Sequence, residues 1–104
     1  MLPAVKVTFE AELWIWEARP AETWTFVSLP VDASADIRDL AGGQRRGFGS
    51  VRVRVTVGGS VWKTSIFPDG SRDAYVLPIK RSVRTAEGLE VGEAAAVTVE
   101  LIDY

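Results

Sequence analysis

The sequence predicts a mainly β, single-domain barrel over residues 1–104, with about six strands and two short helices. Three observations predict it. The run VRVRVTVGGSVWKTSIF, residues 51–67, places two alternating stretches on either side of Gly58-Gly59, the composition of a two-residue hairpin turn. The order strand, Leu-Pro, short helix, glycine, strand occurs twice, as FVSLPVDASADIRDLAGG before VRVRVTV and as AYVLPIKRSVRTAEG before AVTVELI, which points to a pseudo-twofold repeat. Finally, 104 residues without cysteine bury one core and close it by packing alone.

The elements follow in order. In residues 5–15 the odd positions Val5, Val7, Phe9, Ala11, Leu13 and Ile15 are apolar, and the even ones are Lys6, Thr8, Glu10, Glu12 and Trp14. This predicts one long strand with its odd face inward. A four-residue turn over residues 18–21 leads back into a strand from Trp24 to Leu29 and sets Ile15 opposite Trp24 and Leu13 opposite Phe26. Leu29-Pro30 ends that strand. Ser34 is placed to cap a short helix containing Asp36, Ile37, Asp39 and Leu40, and Gly42-Gly43 stops it before the loop QRRGFGS.

In the central hairpin the turn fixes the register: Val55 faces Trp62 and Val51 faces Ile66 inside, while Arg54 faces Lys63 and Arg52 faces Ser65 outside. Pro68-Asp69-Gly70 reads as the next turn. A strand from Tyr75 then meets Pro78, whose fixed φ and missing N–H suit a first helical position. Ile79, Val83 and Ala86 form one apolar stripe on that helix, and Gly88 with Leu89 supplies a Schellman-type ending. The last strand alternates Val97, Val99 and Leu101 with Thr98 and Glu100.

Composition excludes much chemistry. The chain has no cysteine and no histidine, so it lacks a thiolate, the commonest general base and the commonest transition-metal ligand. A net charge of −2 and a pI near 5.1 give no overall attraction to nucleic acid or anionic membrane. The first residues, MLPAVKVTFEAELWIW, carry charges through their apolar run and read as neither signal peptide nor membrane span, which leaves a cytoplasmic location as the expectation. Acid pairs such as Glu10 with Glu12, Asp36 with Asp39 and Asp69 with Asp73 lie in no catalytic motif, and the serines have no partner base.

Two surfaces are candidates for binding. Arg52, Arg54 and Lys63 on the outer hairpin face, with the loop arginines Arg45 and Arg46, are candidate contacts for an anion or a nucleic-acid backbone, since Arg54 opposite Lys63 is a repulsion that a phosphate would relieve. A solvated strand face is the bland alternative. Trp14 and Trp16 fall outward on the first strand and form a candidate ligand or partner surface, or else lie under other parts of the same barrel.

Four blocks carry a resemblance. FEAELW from Phe9, WTFVSLP from Trp24, GSVRVRVTVGGSVWKTSIFP from Gly49 and YVLPIKRSVRTAEGLEVG from Tyr75 together resemble the small bacterial DUF1905 family across nearly the whole chain. The resemblance implies a double-split β-barrel related in architecture to the AbrB and MazE proteins, and it brings no established activity with it. By analogy with AbrB-type DNA binders, Lys80, Arg81 and Arg84 join the candidate contacts, although Glu87, Glu90 and Glu93 dilute their charge. The expectation is a non-catalytic binding or interaction module without cofactor. Its ligand or protein partner and its oligomeric state are not encoded in any motif, and an AbrB-like nucleic-acid-binding regulator is the alternative.

Overall fold

The computed structural model describes residues 5–19, 22–41 and 49–102. The described chain is mainly β, with strands β1 Lys6–Glu12, β2 Trp14–Arg19, β3 Glu22–Ser28, β4 Val51–Val57, β5 Ser60–Asp69, β6 Ala74–Pro78 and β7 Ala94–Leu101, and helices α1 Val31–Ala41 and α2 Arg81–Glu87. One antiparallel sheet holds all seven strands in the order β1-β7-β4-β5-β6-β3-β2. Its two end strands, β1 and β2, follow one another in the chain with only Leu13 between them. The sheet therefore curls into a half-barrel, and no cysteine is needed to hold it.

Seven strands stand where about six were expected, because the long first strand divides at Leu13. Leu13 is almost wholly buried; its N–H donates to Glu93 O at 3.0 Å and its carbonyl accepts from Gly92 N–H at 2.9 Å, so the chain leaves β7 at this residue and passes to β3. The odd-inward pattern holds up to Leu13 and fails at Ile15, which is 44% exposed. The predicted first hairpin is corrected as well. Trp14 pairs with Phe26, Ile15 with Thr25 and Trp16 with Trp24, a one-residue slip from the expected register, with an irregularity between Glu17 and Arg19. β2 extends to Arg19 and β3 begins at Glu22, so the four-residue turn from Ala18 is not made.

The central hairpin has the register its turn dictates, from Val51↔Ile66 through Arg52↔Ser65, Arg54↔Lys63 and Val55↔Trp62 to Val57↔Ser60. Gly58 takes the positive φ of 56° that the first turn position requires. β5 then runs further than predicted: Pro68 and Asp69 still pair with Tyr75 and Ala74, and the turn begins after them. Asp69 stabilises that turn by accepting from Ser71 N–H and Ser71 Oγ.

Both helices begin differently from expectation. Ser34 lies inside α1 rather than at its start; its N–H donates to Pro30 O, and its fully buried Oγ accepts the N–H of Tyr75 at 2.9 Å. This bond pins α1 to β6, whose residues Ala74 to Leu77 are buried without alternation. Pro78 is the last residue of β6, not the first of a helix: sheet pairing continues past it, because Ile79 N–H donates to Thr25 O at 2.8 Å. α2 starts at Arg81. Of the expected stripe Val83 is buried within the helix and Ile79 is buried just before it, whereas Ala86 is exposed. The ending is as expected: Gly88 has φ 65°, Gly88 N–H reaches Thr85 O, Leu89 N–H reaches Arg84 O, and Leu89 is half-buried against the core.

The repeat seen in the sequence is a repeat of element order. β3-α1-β4 and β6-α2-β7 have the same succession, and β3 pairs antiparallel with β6 as β4 does with β7. Exchanging these partners, and the β1–β2 stretch with β5, reproduces the same order of neighbours around the sheet. The Leu-Pro pairs are nevertheless not equivalent. Ser34 N–H donates to Pro30 O and Arg84 N–H to Lys80 O, which matches Pro30 to Lys80 and Leu29 to Ile79. Gly42, Gly43, Arg45 and Arg46 lie outside the described residues.

Candidate functional site

β5 pairs with β6 only through Phe67, Pro68 and Asp69. Upstream of Phe67 the two strands part, because Ile79 is held to β3 by its bond to Thr25 and Lys80, at φ −69° and ψ 155°, turns the chain out of the sheet into α2. Trp62, Lys63 and Thr64 on one side and residues 78–81 on the other wall the resulting cleft of about 450 Å³, and Trp24 and Thr25 of β3 and Arg84 of α2 complete it. It falls within the roughly 300–1,000 Å³ of sites that take small organic ligands.

Its electrostatics are one-sided. Lys63, Lys80, Arg81 and Arg84 line the cleft, and among the described residues no carboxylate does. Among the described residues none of these four cations forms an ion pair. Arg84 Nε donates instead to the carbonyl of Ile79 at 3.2 Å, and Lys80 Nζ lies 5.9 Å from the centre of the Trp62 ring. Glu90 lines a separate shallow depression that Arg81 and Arg84 also border. The counterpart helix α1 is acidic, and Asp36 and Asp39 line the depression between it and the start of β1. The two halves thus share an order of elements and differ in charge.

The cleft has a framework. Glu87, at the end of α2, accepts from Gly59 N–H at 3.2 Å and from Ser60 Oγ at 2.7 Å, so the helix carrying Arg81 and Arg84 is tied to the hairpin carrying Trp62 and Lys63. On the other flank an aromatic band leads away from it. Trp24 stacks on Phe26 with ring centres 6.5 Å apart, Phe26 on Trp14 at 5.1 Å, and the Arg72 guanidinium lies 3.8 Å above the Trp14 ring. Arg72 is held in turn by Asp69. The hydrogen bonds from Ser71, with the Arg72 charge beside them, hold the Asp69 carboxyl below its ordinary value against a weaker opposing effect of burial.

The sites read from sequence are distributed as follows. Among the described members of the basic hairpin set, Lys63 lines the cleft and Arg52 and Arg54 do not. Arg54 is corrected: the expected unrelieved repulsion with Lys63 is absent, because Glu100 lies opposite Arg54 on β7 and its carboxylate accepts from Arg54 Nη1 at 2.9 Å. Arg52 is exposed, with Nη1 at 3.4 Å from Ser65 Oγ. The two candidate tryptophans part company. Trp14 is half-buried under Phe26 and Arg72 and donates from Nε1 to Ser28 Oγ at 3.0 Å, whereas Trp16 stays 53% exposed opposite Trp24. What the sequence did not reveal is that Trp24 and Trp62 meet Lys80, Arg81 and Arg84. Both were placed facing inward, yet Trp24 is 52% exposed; the buried β3 positions are Thr25, Val27 and Leu29.

Among the described residues no cluster of acids is arranged to hold a metal ion, and no helix is long and apolar enough to cross a membrane. Fold and cleft define a class: a curled antiparallel half-barrel with two short helices and a basic, indole-walled cleft where two strands part. Residues 9–99 match the family described as "Domain of unknown function (DUF1905)", and the chain belongs to that family. None of the curated proteins matches it.

Proposed function

We propose that this domain is a non-catalytic binding module whose ligand is a small anion held in the cleft between β5 and α2. The observation that carries this is the convergence of Lys63, Lys80, Arg81 and Arg84 on one concave site with no carboxylate among the described residues of its wall. Four like charges at close range repel one another and lower stability, and a bound anion removes that cost. The absence of histidine and cysteine from the chain supports binding without catalysis. The architecture proposed is a double-split barrel of the AbrB and MazE kind, supported by the exchange symmetry of the strand order. A cytoplasmic location is part of the same proposal.

The alternative, a nucleic-acid regulator acting through the hairpin face, loses its main motive once Arg54 is matched with Glu100. The test is calorimetric titration with inorganic pyrophosphate at low salt. Binding at one site, weakened at least tenfold in Arg81→Glu and in Lys80→Glu but not in Arg52→Ala, supports the cleft; binding lost in Arg52→Ala and retained in the cleft variants overturns it.

A further inference from the structure

We infer that the anion is a phosphorylated aromatic compound of the nucleoside phosphate class, with its planar ring against Trp24 and Trp62 and its phosphate among the cations of α2 and Lys63. This rests on the anion-binding proposal above and adds the part of the ligand that is not charged. Three features of the cleft ask for it. The first is that its wall combines two indoles with the four cations. A site for a bare phosphate needs donors and positive charge but gains nothing from indole rings, whereas a planar ring gains from both.

The second is that Trp24 is available. It is half exposed, although β3 has a buried face directly beside it, and its contact with Phe26 is offset, with ring centres 6.5 Å apart and planes 19° from parallel. Trp62 differs in being half-buried and packed against the core, so its ring is held in place by the fold. One wall of the cleft is thus rigid and the other open, the arrangement in which a planar ligand gains stacking area with little side-chain ordering. The third is that Thr25 and Thr64 stand in the lining beside the indoles and the cations, polar residues suited to a linker such as a sugar.

Size selects a free small molecule over a polymer. The cleft offers about 450 Å³, the volume of a small organic ligand, and the acidic helix α1 and the net charge of −2 oppose a polyanion laid across the rest of the surface. The aromatic band toward Trp14 does not extend the site, because Arg72 already covers Trp14.

The experiment is a set of parallel titrations of the intact chain with adenosine monophosphate, uridine monophosphate, adenosine, inorganic pyrophosphate and a ten-residue oligothymidylate, followed by calorimetry and tryptophan fluorescence. The inference expects a nucleoside monophosphate to bind at least tenfold more tightly than pyrophosphate and than adenosine. Trp24→Ala is expected to lower nucleotide affinity about tenfold or more, as removal of a stacking ring does, and to leave pyrophosphate affinity within twofold. Trp62→Phe, which keeps the core filled, is expected to lower nucleotide affinity several-fold. Nucleotide and pyrophosphate binding equally well overturns this inference while leaving the anion-binding proposal in place. No binding of either overturns both. Oligothymidylate binding more tightly than any mononucleotide overturns it in favour of a single-stranded nucleic acid.

Discussion

Glu87 illustrates how much one side chain organises here. Its carboxylate joins the end of α2 to the hairpin turn through Gly59 and Ser60, and a methyl group added at Gly58 would run into it. Glu87→Gln is expected to cost about 1–2 kcal/mol, the worth of charge-assisted hydrogen bonds, measured by urea denaturation. Gly58→Ala should cost at least as much, because it adds a φ of 56° to the collision. Ser34 is the buried counterpart. Ser34→Ala removes the acceptor of the Tyr75 N–H and leaves that donor buried, for an expected loss of about 1–3 kcal/mol; a change below 0.5 kcal/mol would show that the bond to β6 does not hold α1. Asp69 gives a prediction in pH. Its carboxyl lies below the ordinary 3.8 in the folded protein, so the stability it adds is complete above that value and is lost as pH falls through the lowered one. Asp69→Asn should therefore be less stable than the parent at neutral pH, and the difference should shrink as pH falls through the lowered value. Two of these three roles do not follow from sequence spacing, since the partner lies across the fold, Gly59 from Glu87 and Tyr75 from Ser34; that of Asp69 is local, its partners Ser71 and Arg72 lying two and three residues further on.

At the scale of elements, legibility follows the locality of the cause. The central hairpin was read residue for residue because two glycines and strict alternation determine register within the segment itself. The close of α2 was equally local. The first hairpin was misread by one residue, because β3 carries apolar or aromatic side chains on both faces, Trp24 and Phe26 on one and Val27 and Leu29 on the other, so alternation does not say which face is buried. Pro78 was misplaced for a related reason: its geometry suits a first helical turn and a strand end alike, and the bond from Ile79 to Thr25 that decides between them is made to another strand. The outer face of β4 shows the same dependence on a third element. Arg54 faces Lys63 as predicted, but β7 supplies Glu100. Glu100→Gln should cost under about 1 kcal/mol at low salt, with the difference shrinking as salt is added, since the pair is partly exposed. A loss that is unchanged by salt would show that the pair is not what offsets the Arg54–Lys63 repulsion.

For the molecule as a whole, the class and the repeat were visible in the sequence, while the cleft was not. A mainly β domain with two helices follows from alternation, glycine turns and the doubled order of elements. The cleft arises where β5 and β6 stop pairing, a property of three strands and a helix taken together, and the residues it gathers come from positions 24, 62–64 and 78–84. Sequence spacing brought some of its cations to notice separately, on the hairpin and on α2, without showing that they share a site with two tryptophans. Divergence between the halves is part of the same picture: equivalent helices carry opposite charge, and among the described residues the second faces a basic cleft while the first borders an acidic depression. The most direct test of that asymmetry reads the four indole N–H signals of a nitrogen-labelled sample by NMR during titration with pyrophosphate. The account predicts that the Trp24 and Trp62 signals shift together and saturate while those of Trp14 and Trp16 stay near their starting positions. Movement confined to Trp14 and Trp16, or no saturable movement at all, would contradict it.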